Sequence, residues 1–283
     1  MEVYSEKKQV STKVNTIKAK NLTVGLVPTM GALHKGHLAL VKTALQHNDK
    51  VVVSIFVNPT QFDNKNDLKK YPRTLETDIA LLEALNSTNI LVYAPTVTDI
   101  YEGQTKSEMF DFNGLEFEME GKFRKGHFNG VGTIVKKLFK IVKPHNAYFG
   151  EKDFQQLQII KTLIKKYNIP VKITGCPIYR EPSGLAMSSR NTRLTPEHLE
   201  TAPFIYKTLK TAKKHFGTKS ANKVTEWVEQ QFKNHKLLNL EYFIIADANT
   251  LKTVNRKTKD KLYRAFIAVY AGDIRLIDNI ALN

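Results

Sequence analysis

The sequence has one cysteine, Cys176, among its 283 residues, and it has no long apolar run. A single cysteine excludes a disulfide framework within the chain and fits the reducing cytoplasm. With no His-Glu-x-x-His spacing either, a zinc site is not expected. No apolar stretch reaches the roughly 20 residues that cross a bilayer, and the lysine-rich segment 1–21 lacks the apolar centre of a signal peptide. We therefore expect a cytoplasmic protein with no membrane partner.

Acidic residues are scarce relative to basic ones, since 27 Asp and Glu stand against 43 Lys and Arg, a formal net charge of +16. Such an excess is compatible with a non-enzymatic nucleic-acid-binding protein, whose affinity falls steeply with salt. However, the lysines are spread along the whole chain and cluster only as short pairs such as Lys136-Lys137. We therefore expect no nucleic-acid partner. A positive field also attracts small anionic substrates, although the size of the excess has no functional explanation in the sequence.

Apolar runs and helical patterns alternate along the first part of the chain. The segment 51–57 is a continuous run rich in β-branched residues, typical of a strand buried on both faces. Strands that alternate with helices predict an α/β fold with a parallel sheet and right-handed crossovers. The expected elements, in order, are strand 24–27, helix 38–45, strand 51–57, helix 75–85, strand 90–93, helix 131–142, strand 147–149, helix 154–164 and strand 171–174.

The pattern changes after Cys176. A turn-rich segment, 177–184, is followed by helical patterns at about 196–216 and 219–232 and by strand-like runs at 240–246 and 263–270. This order predicts a smaller C-terminal α+β domain. We therefore place the domains at residues 1–176 and 177–283.

The most informative segment is the turn Pro28–His37, which lies between the first of these strands and its helix. It places His34 and His37 at the start of the helix, where free backbone N–H groups and the helix dipole attract phosphate. Imidazoles donate hydrogen bonds to oxyanions near neutral pH, and the two rings share a face if the helix has begun by His34. The segment therefore indicates nucleotide phosphates and nucleotidyl transfer, with an ordinary surface histidine pair as the alternative.

Two more polar segments follow predicted strand ends, where ligands of parallel sheets bind. Asn58 and Gln61 offer neutral donors and acceptors for a substrate with hydroxyls and a carboxylate, or they belong to an ordinary Asn-Pro turn. The turn 150–153 offers a second phosphate site with Lys152 as a point charge, or it is a solvated cap in which Asp153 begins the helix.

Two further segments carry polar groups at loop positions beside predicted strand ends. The segment Ala186–Asn191 can close over a triphosphate as a mobile loop, or it is a serine-rich turn before a helix capped by Thr195. The segment Arg124–Phe128 either holds an anion or braces the fold, and we favour bracing.

Seven segments together resemble the pantoate–β-alanine ligase (pantothenate synthetase) family, and the resemblance covers nearly the whole chain. Any one of them is moderate evidence, whereas all of them in order and at matching intervals are specific. The segments are Val27–His37, Phe56–Phe62, Tyr71–Thr74, Gly126–Val131, Phe149–Gln156, Gly184–Asn191 and Arg275–Asn279.

The resemblance implies a Rossmann-like nucleotidyltransferase fold with a small C-terminal domain that closes over the active site, usually in a homodimer. It implies ATP with Mg²⁺, and ligation of pantoate with β-alanine to pantothenate through a pantoyl adenylate, with release of AMP and pyrophosphate. His37 is the implied proton donor. Gln61 and Gln156 are implied to hold pantoate, and Gln61 also borders β-alanine. The implied ATP-binding residues are Met30, Gly31, Ala32, Leu33, His34, Lys35, Gly36, His37, Gly150, Glu151, Lys152, Asp153, Tyr179, Met187, Ser188, Ser189 and Arg190.

Catalysis of this reaction requires donors aimed at the charge that builds up on the α-phosphoryl oxygens and on the departing pyrophosphate. We expect His37, His34 and Lys152 to supply them. The protein ligand of Mg²⁺ is not indicated, and Asp78 is only a candidate. The chain departs from the family pattern at Lys35, where an acidic residue is usual, and at Lys125, where proline is usual. Neither departure removes an expected catalytic group, but Lys35 can alter nucleotide affinity.

Two other nucleotide-using enzymes are alternatives. Another nucleotidyltransferase of the same fold, such as a cytidylyltransferase, is distinguished by whether pyrophosphate exchange depends on pantoate. A module similar to a tRNA synthetase would need a tRNA-reading domain, for which the 107 residues after Cys176 leave little room.

Overall fold

The structure, a computed structural model, describes residues 1–62, 65–85 and 88–283. The chain divides into two compact units. The first is formed by Met1–Glu151 and Gln155–Pro177, and the second by Lys152–Phe154 and Ile178–Asn283. In the part of the chain that the structure describes, no helix has the length and apolar character needed to cross a bilayer.

A parallel sheet forms the centre of the first unit. Its strands are β1 (Glu2–Tyr4), β2 (Val24–Thr29), β3 (Lys50–Ile55), β4 (Ile90–Tyr93), β5 (Asn146–Gly150) and β6 (Lys172–Cys176). They are arranged in the order β1-β4-β3-β2-β5-β6, and every neighbouring pair is parallel. Val51, Val52 and Val53 in β3 are fully buried, as their uninterrupted β-branched run requires of a strand covered on both faces. The expected α/β class is confirmed.

Helices connect these strands. They are α1 (Lys7–Lys18), α2 (Lys35–His47), α3 (Lys65–Lys70), α4 (Leu75–Glu83), α5 (Val97–Tyr101), α6 (Glu120–Phe123), α7 (His127–Val142) and α8 (Phe154–Lys166). The pattern at 131–142 is the buried face of the longer α7. Helix α1 was not expected, although its buried residues Val10, Val14 and Ile17 repeat at helical spacing. Its polar, lysine-rich remainder concealed that stripe.

The second unit has an antiparallel sheet of strands β7 (Leu238–Asp247), β8 (Tyr263–Ala271) and β9 (Ile274–Ala281), paired in that order. Its helices are α9 (Pro196–Thr201), α10 (Phe204–Thr218) and α11 (Ala221–Phe232). The apolar faces of α10 and α11 share one core with the sheet. The expected α+β character of this region is confirmed.

One sequence prediction in this unit was wrong, and one strand was missed. The single helix expected at 196–216 is two helices, α9 and α10, and Pro203 stands at the break because it cannot donate the backbone hydrogen bond of a continuous helix. Strand β9 was not predicted at all. The expected cap is present, since the Thr195 hydroxyl accepts a hydrogen bond from His198 N–H.

Candidate active site

Three of the expected segments lie at one edge of the parallel sheet. Strands β3, β2 and β5 are neighbours, so the segments that follow them meet at the carboxyl edge, where such sheets bind ligands. A direct contact joins two of these segments, because the Gln61 side chain donates from Nε2 to Met30 Sδ at 3.0 Å. The structure therefore brings together the turn 30–34, the turn 58–61 and the strand end at Gly150.

His34 and His37 lie at the start of α2, as the sequence predicted, but only one of them is inside the helix. Helix α2 begins at Lys35, so His34 is its N-cap and only His37 lies in its first turn. The two rings nevertheless stack, with centroids 3.9 Å apart and planes inclined by 24°. A reciprocal capping arrangement holds them: His34 Nδ1 accepts from Gly36 N–H at 3.2 Å, and His37 Nδ1 accepts from His34 N–H at 3.3 Å.

These hydrogen bonds determine the tautomer of both imidazoles. A backbone N–H can only donate, so each Nδ1 presents a lone pair and each neutral ring carries its proton on Nε2. Both rings thus offer Nε2–H donors at the positive end of α2. That arrangement suits the oxygens of a phosphate.

The carboxylate of Asp78, on α4, shapes the turn that precedes α2. It is 1% exposed and accepts hydrogen bonds from Leu33 N–H at 2.7 Å and from Ala32 N–H at 3.0 Å. The turn needs this support because Gly31 and Ala32 both have positive φ angles, +79° and +49°, and alanine rarely adopts that conformation. Burial raises the pKa of the Asp78 carboxyl, and the hydrogen bonds from Leu33 and Ala32 oppose that rise. Asp78 therefore holds the turn 31–34 in shape.

We expect Asp78→Asn to destabilise the protein by about 1–3 kcal/mol, because an amide cannot accept from both N–H groups and leaves one without an acceptor. The KM for ATP should rise as well, since the turn loses its shape. Denaturant unfolding and steady-state kinetics measure the two effects. Glu76→Gln, the same change at an exposed position of α4, is the matched control. An Asp78→Asn protein as stable as this control would contradict the role.

Gln61 is held from several sides. Its side chain is 9% exposed, and its Oε1 accepts from Asn58 Nδ2 at 3.1 Å. Its carbonyl oxygen accepts from His127 Nδ1 at 2.8 Å and from Arg124 Nη2 at 3.4 Å. The segment Arg124–Phe128 therefore braces the turn that carries Gln61, which confirms the bracing interpretation.

Helix α7 lies directly against the same turn. A methyl group on Gly130 would be 2.3 Å from Thr60 O and 2.7 Å from the Gln61 Cα, well inside van der Waals contact. Only glycine allows this approach. Gly130 thus fixes the distance between α7 and the turn 59–61.

The turn after β5 is a short 3-10 helix, Glu151–Asp153. Its Lys152 ammonium lies 3.8 Å from Asp153 Oδ1, and the Lys152 carbonyl accepts from Asn279 Nδ2 of β9 at 2.9 Å.

The two glutamines that follow this turn, on α8, differ in burial. Gln155 is buried and bonds to backbone groups of Leu115, Glu118 and Glu120, whereas Gln156 is half-buried.

The segment 178–191 forms a closed loop in the second unit. Arg180 and Ala186 pair as an antiparallel bridge, and Met187 N–H donates to Tyr179 O at 3.0 Å. Ser188 caps the 3-10 helix Ser189–Arg193 by accepting from Arg190 N–H. The two serines and Arg190 therefore stand on a capped turn.

A buried ion pair fastens this loop to β9. Arg180 donates to both carboxylate oxygens of Asp278, at 2.6 and 2.9 Å, and its guanidinium stacks 3.5 Å from the centre of the Tyr206 ring. Asp278 is 4% exposed. Sequence reasoning assigned neither Arg180 nor Asp278 a role, although Arg275–Asn279 was one of the segments that carried the family resemblance.

No group of three or more His, Cys, Asp or Glu side chains comes together within residues 1–62, 65–85 and 88–283. Asp78, the sequence candidate for Mg²⁺, already accepts two backbone hydrogen bonds.

Comparison with known proteins gives one consistent result. A family model described as pantoate-beta-alanine ligase matches residues 2–281. The pantothenate synthetase of Flavobacterium psychrophilum is 59% identical over 282 residues, which are 100% of both chains. That of Bacteroides fragilis is 48% identical over 280 residues, 99% of this chain and 98% of the relative.

Two solved structures are similar over their whole length. The pantothenate synthetase of Thermus thermophilus superposes with a TM-score of 0.91 at 36% identity, covering 100% of this chain and 99% of the other. The pantoate-beta-alanine ligase of Francisella tularensis, a complex with "Beta-gamma ATP" and β-alanine, gives 0.81 at 39% identity, with coverage of 100% and 98%.

Proposed function

We propose, from the premise that this chain belongs to the pantoate–β-alanine ligase family, how its residues carry out the ligation of pantoate and β-alanine to pantothenate. The enzyme is an AMP-forming carbon–nitrogen ligase of pantothenate biosynthesis, with ATP as a substrate. The observation that carries this assignment is the 59% identity to a pantothenate synthetase over the full length of both chains. The reaction passes through a pantoyl adenylate and releases pyrophosphate and AMP.

The first step is attack of the pantoate carboxylate on the α-phosphorus of ATP. A carboxylate does not condense with an amine in water because oxide is a poor leaving group. Transfer of AMP from ATP to the carboxylate makes AMP the leaving group, which departs readily. Negative charge builds up on the α-phosphoryl oxygens and on pyrophosphate. The Nε2–H donors of His34 and His37 stand at the start of α2, where they stabilise that charge without reorganising.

Lys152 and the turn Ser188–Arg190 supply further positive charge and N–H donors to the same triphosphate. The ordered turn at Ser188 and the anchoring of the Lys152 carbonyl by Asn279 support this role. The other proposed ATP contacts are the turn 30–37, the turn 150–153, Tyr179 and Met187. Closure of residues 177–283 over the bound nucleotide, which shields the adenylate from water, is part of the proposal.

Pantoate lies beside Gln61 and Gln156, with Met30 and Val131 contributing apolar contacts. The second step is attack of the neutral amine of β-alanine on the acyl carbon, with AMP as the leaving group. Gln61 borders β-alanine as well. The support comes from Gln61's contact with Met30 and from the β-alanine bound to the Francisella tularensis ligase.

Mg²⁺ enters as the counterion of ATP in this proposal. The described residues hold no group of three or more His, Cys, Asp or Glu side chains, and Mg²⁺ is commonly held by substrate phosphates with only one or two carboxylates. No step is therefore assigned to a protein-bound metal. The single, buried cysteine supports a cytoplasmic location, and family membership supports a homodimer that binds neither membranes nor nucleic acid.

The deciding experiment is ATP-dependent formation of pantothenate by the purified protein, with AMP rather than ADP as the co-product. Exchange of labelled pyrophosphate into ATP should require pantoate and should proceed without β-alanine, because the adenylate forms first. Exchange that ignores pantoate but responds to another acceptor would identify a different nucleotidyltransferase. Formation of ADP would contradict the adenylate route.

A further inference from the structure

The Gln61 side chain belongs to a chain of hydrogen bonds that begins at Tyr101, at the end of α5. The Tyr101 hydroxyl donates to Asn58 Oδ1 at 2.6 Å, and Asn58 Nδ2 donates to Gln61 Oε1 at 3.1 Å. Thr60 Oγ1 lies 2.8 Å from the Tyr101 hydroxyl and 3.2 Å from Asn58 Oδ1. Tyr101 and Asn58 are 3% and 1% exposed, so water does not compete for these bonds.

One acceptor fixes the direction of the whole chain. Asn58 Nδ2 also donates to the Gly130 carbonyl oxygen at 3.2 Å. A carbonyl oxygen cannot donate, so the Asn58 amide must turn its nitrogen toward Gly130 and its oxygen toward Tyr101. The second N–H of the same amide then faces Gln61, so the Gln61 atom that accepts this hydrogen bond must be Oε1. The Gln61 nitrogen is thereby directed away from Asn58, to the side where it meets Met30 Sδ at 3.0 Å.

We propose that Tyr101 is a positioning residue for acid recognition: its hydroxyl holds the Asn58 amide in place, and Asn58 in turn makes Gln61 present N–H donors to the oxygens of pantoate. The inference rests on the proposed function, because it takes pantoate as the ligand of Gln61. A thioether sulfur is a weak acceptor, so a carboxylate or hydroxyl oxygen of the substrate competes well for the same N–H groups. The amide in this orientation rejects a ligand that offers only donors.

Tyr101 is suited to the role at any working pH. Burial raises the pKa of its phenol, so the hydroxyl keeps its proton. Its ring has a separate partner, since Lys137 Nζ lies 5.4 Å from the ring centre. Phenylalanine at this position keeps the ring and that contact and removes only the hydroxyl.

The test is the kinetic constants of Tyr101→Phe for pantoate and for ATP, measured by AMP formation. We expect the KM for pantoate to rise about fivefold, the factor that corresponds to loss of one ordinary hydrogen bond. The KM for ATP should stay within about twofold of wild type, since an unaffected site changes little. Tyr148→Phe is the matched control, because Tyr148 is also buried and hydrogen-bonds an asparagine, Asn48, which precedes β3 and so lies at the opposite edge of the sheet.

The double variant separates positioning from a general structural role. In the Gln61→Ala background, Tyr101→Phe should leave the KM for pantoate unchanged, because it acts only through Gln61. Additive effects, equal rises in both KM values, or an unchanged KM for pantoate in the single variant would overturn the inference alone. A wild-type protein with no pantoate-dependent AMP formation would instead overturn the proposed function, and the inference with it.

Discussion

His37→Ala should lower kcat by about a hundred- to a thousand-fold, the usual effect of removing one preorganised oxyanion donor. The structure gives the reason. His37 Nδ1 is engaged by His34 N–H, so its proton is on Nε2, and the substitution removes that donor from the start of α2. Because the interaction strengthens as charge develops, kcat and kcat/KM should fall together, with little change in KM.

The same substitution should leave the fold intact. It removes one half of a capping arrangement, and losses of a helix cap cost typically about 1 kcal/mol. His47→Ala is the matched control, since His47 is an exposed residue at the other end of the same helix, and it should keep wild-type kinetics. A His37→Ala enzyme with a near-normal rate would remove His37 from the mechanism.

Asp278→Ala should destabilise the second unit by about 3–5 kcal/mol, because it leaves a buried guanidinium without its carboxylate. The Arg180 side chain is 16% exposed, and the Asp278 side chain only 3%. Trp227, the only tryptophan of the chain, is on α11 and contacts the core of this unit. Its fluorescence during denaturant unfolding therefore measures the stability of this unit.

Two further variants test whether unpaired charge is the cause. Glu241→Ala breaks the ion pair between Arg275 and Glu241, whose side chains are more exposed, at 21% and 16% respectively. It should lower the free energy of unfolding by less than Asp278→Ala does. Replacing both partners, Arg180→Met with Asp278→Leu, should recover much of the stability, because apolar side chains of similar volume carry no desolvation penalty. A double variant as unstable as Asp278→Ala would show that the loss comes from packing and not from charge.

Much of the fold could be predicted because its signals are local. The run Val51–Val53 needs two covered faces, whatever surrounds it, and the stripe of α7 is visible within a few turns. Strand β9 had no such signal. Its residues Arg275, Asp278 and Asn279 are polar because they serve partners far away in the sequence, at Glu241, Arg180 and Lys152.

In the candidate site, too, features with a local sequence signal could be predicted, and features that depend on distant residues could not. The histidine turn was predicted because a strand, a glycine turn and a helix follow one another directly. Asp78 was considered only as a metal ligand, since its hydrogen bonds to Ala32 and Leu33 span some 45 residues of sequence. The link from Tyr101 to Gln61 was not visible for the same reason, because only the folded sheet brings α5 beside the turn after β3.

The absence of a side chain at Gly130 limits how this enzyme can be redesigned. Even one added methyl would press on the main chain of Thr60 and Gln61, so α7 cannot be given bulk there without moving Gln61, the residue proposed to bind the acid. Variants meant to accept longer or branched acids should instead trim the neighbouring wall, at Met30 or Val131. A glycine of α7 thereby defines the side of the proposed acid site that cannot be changed.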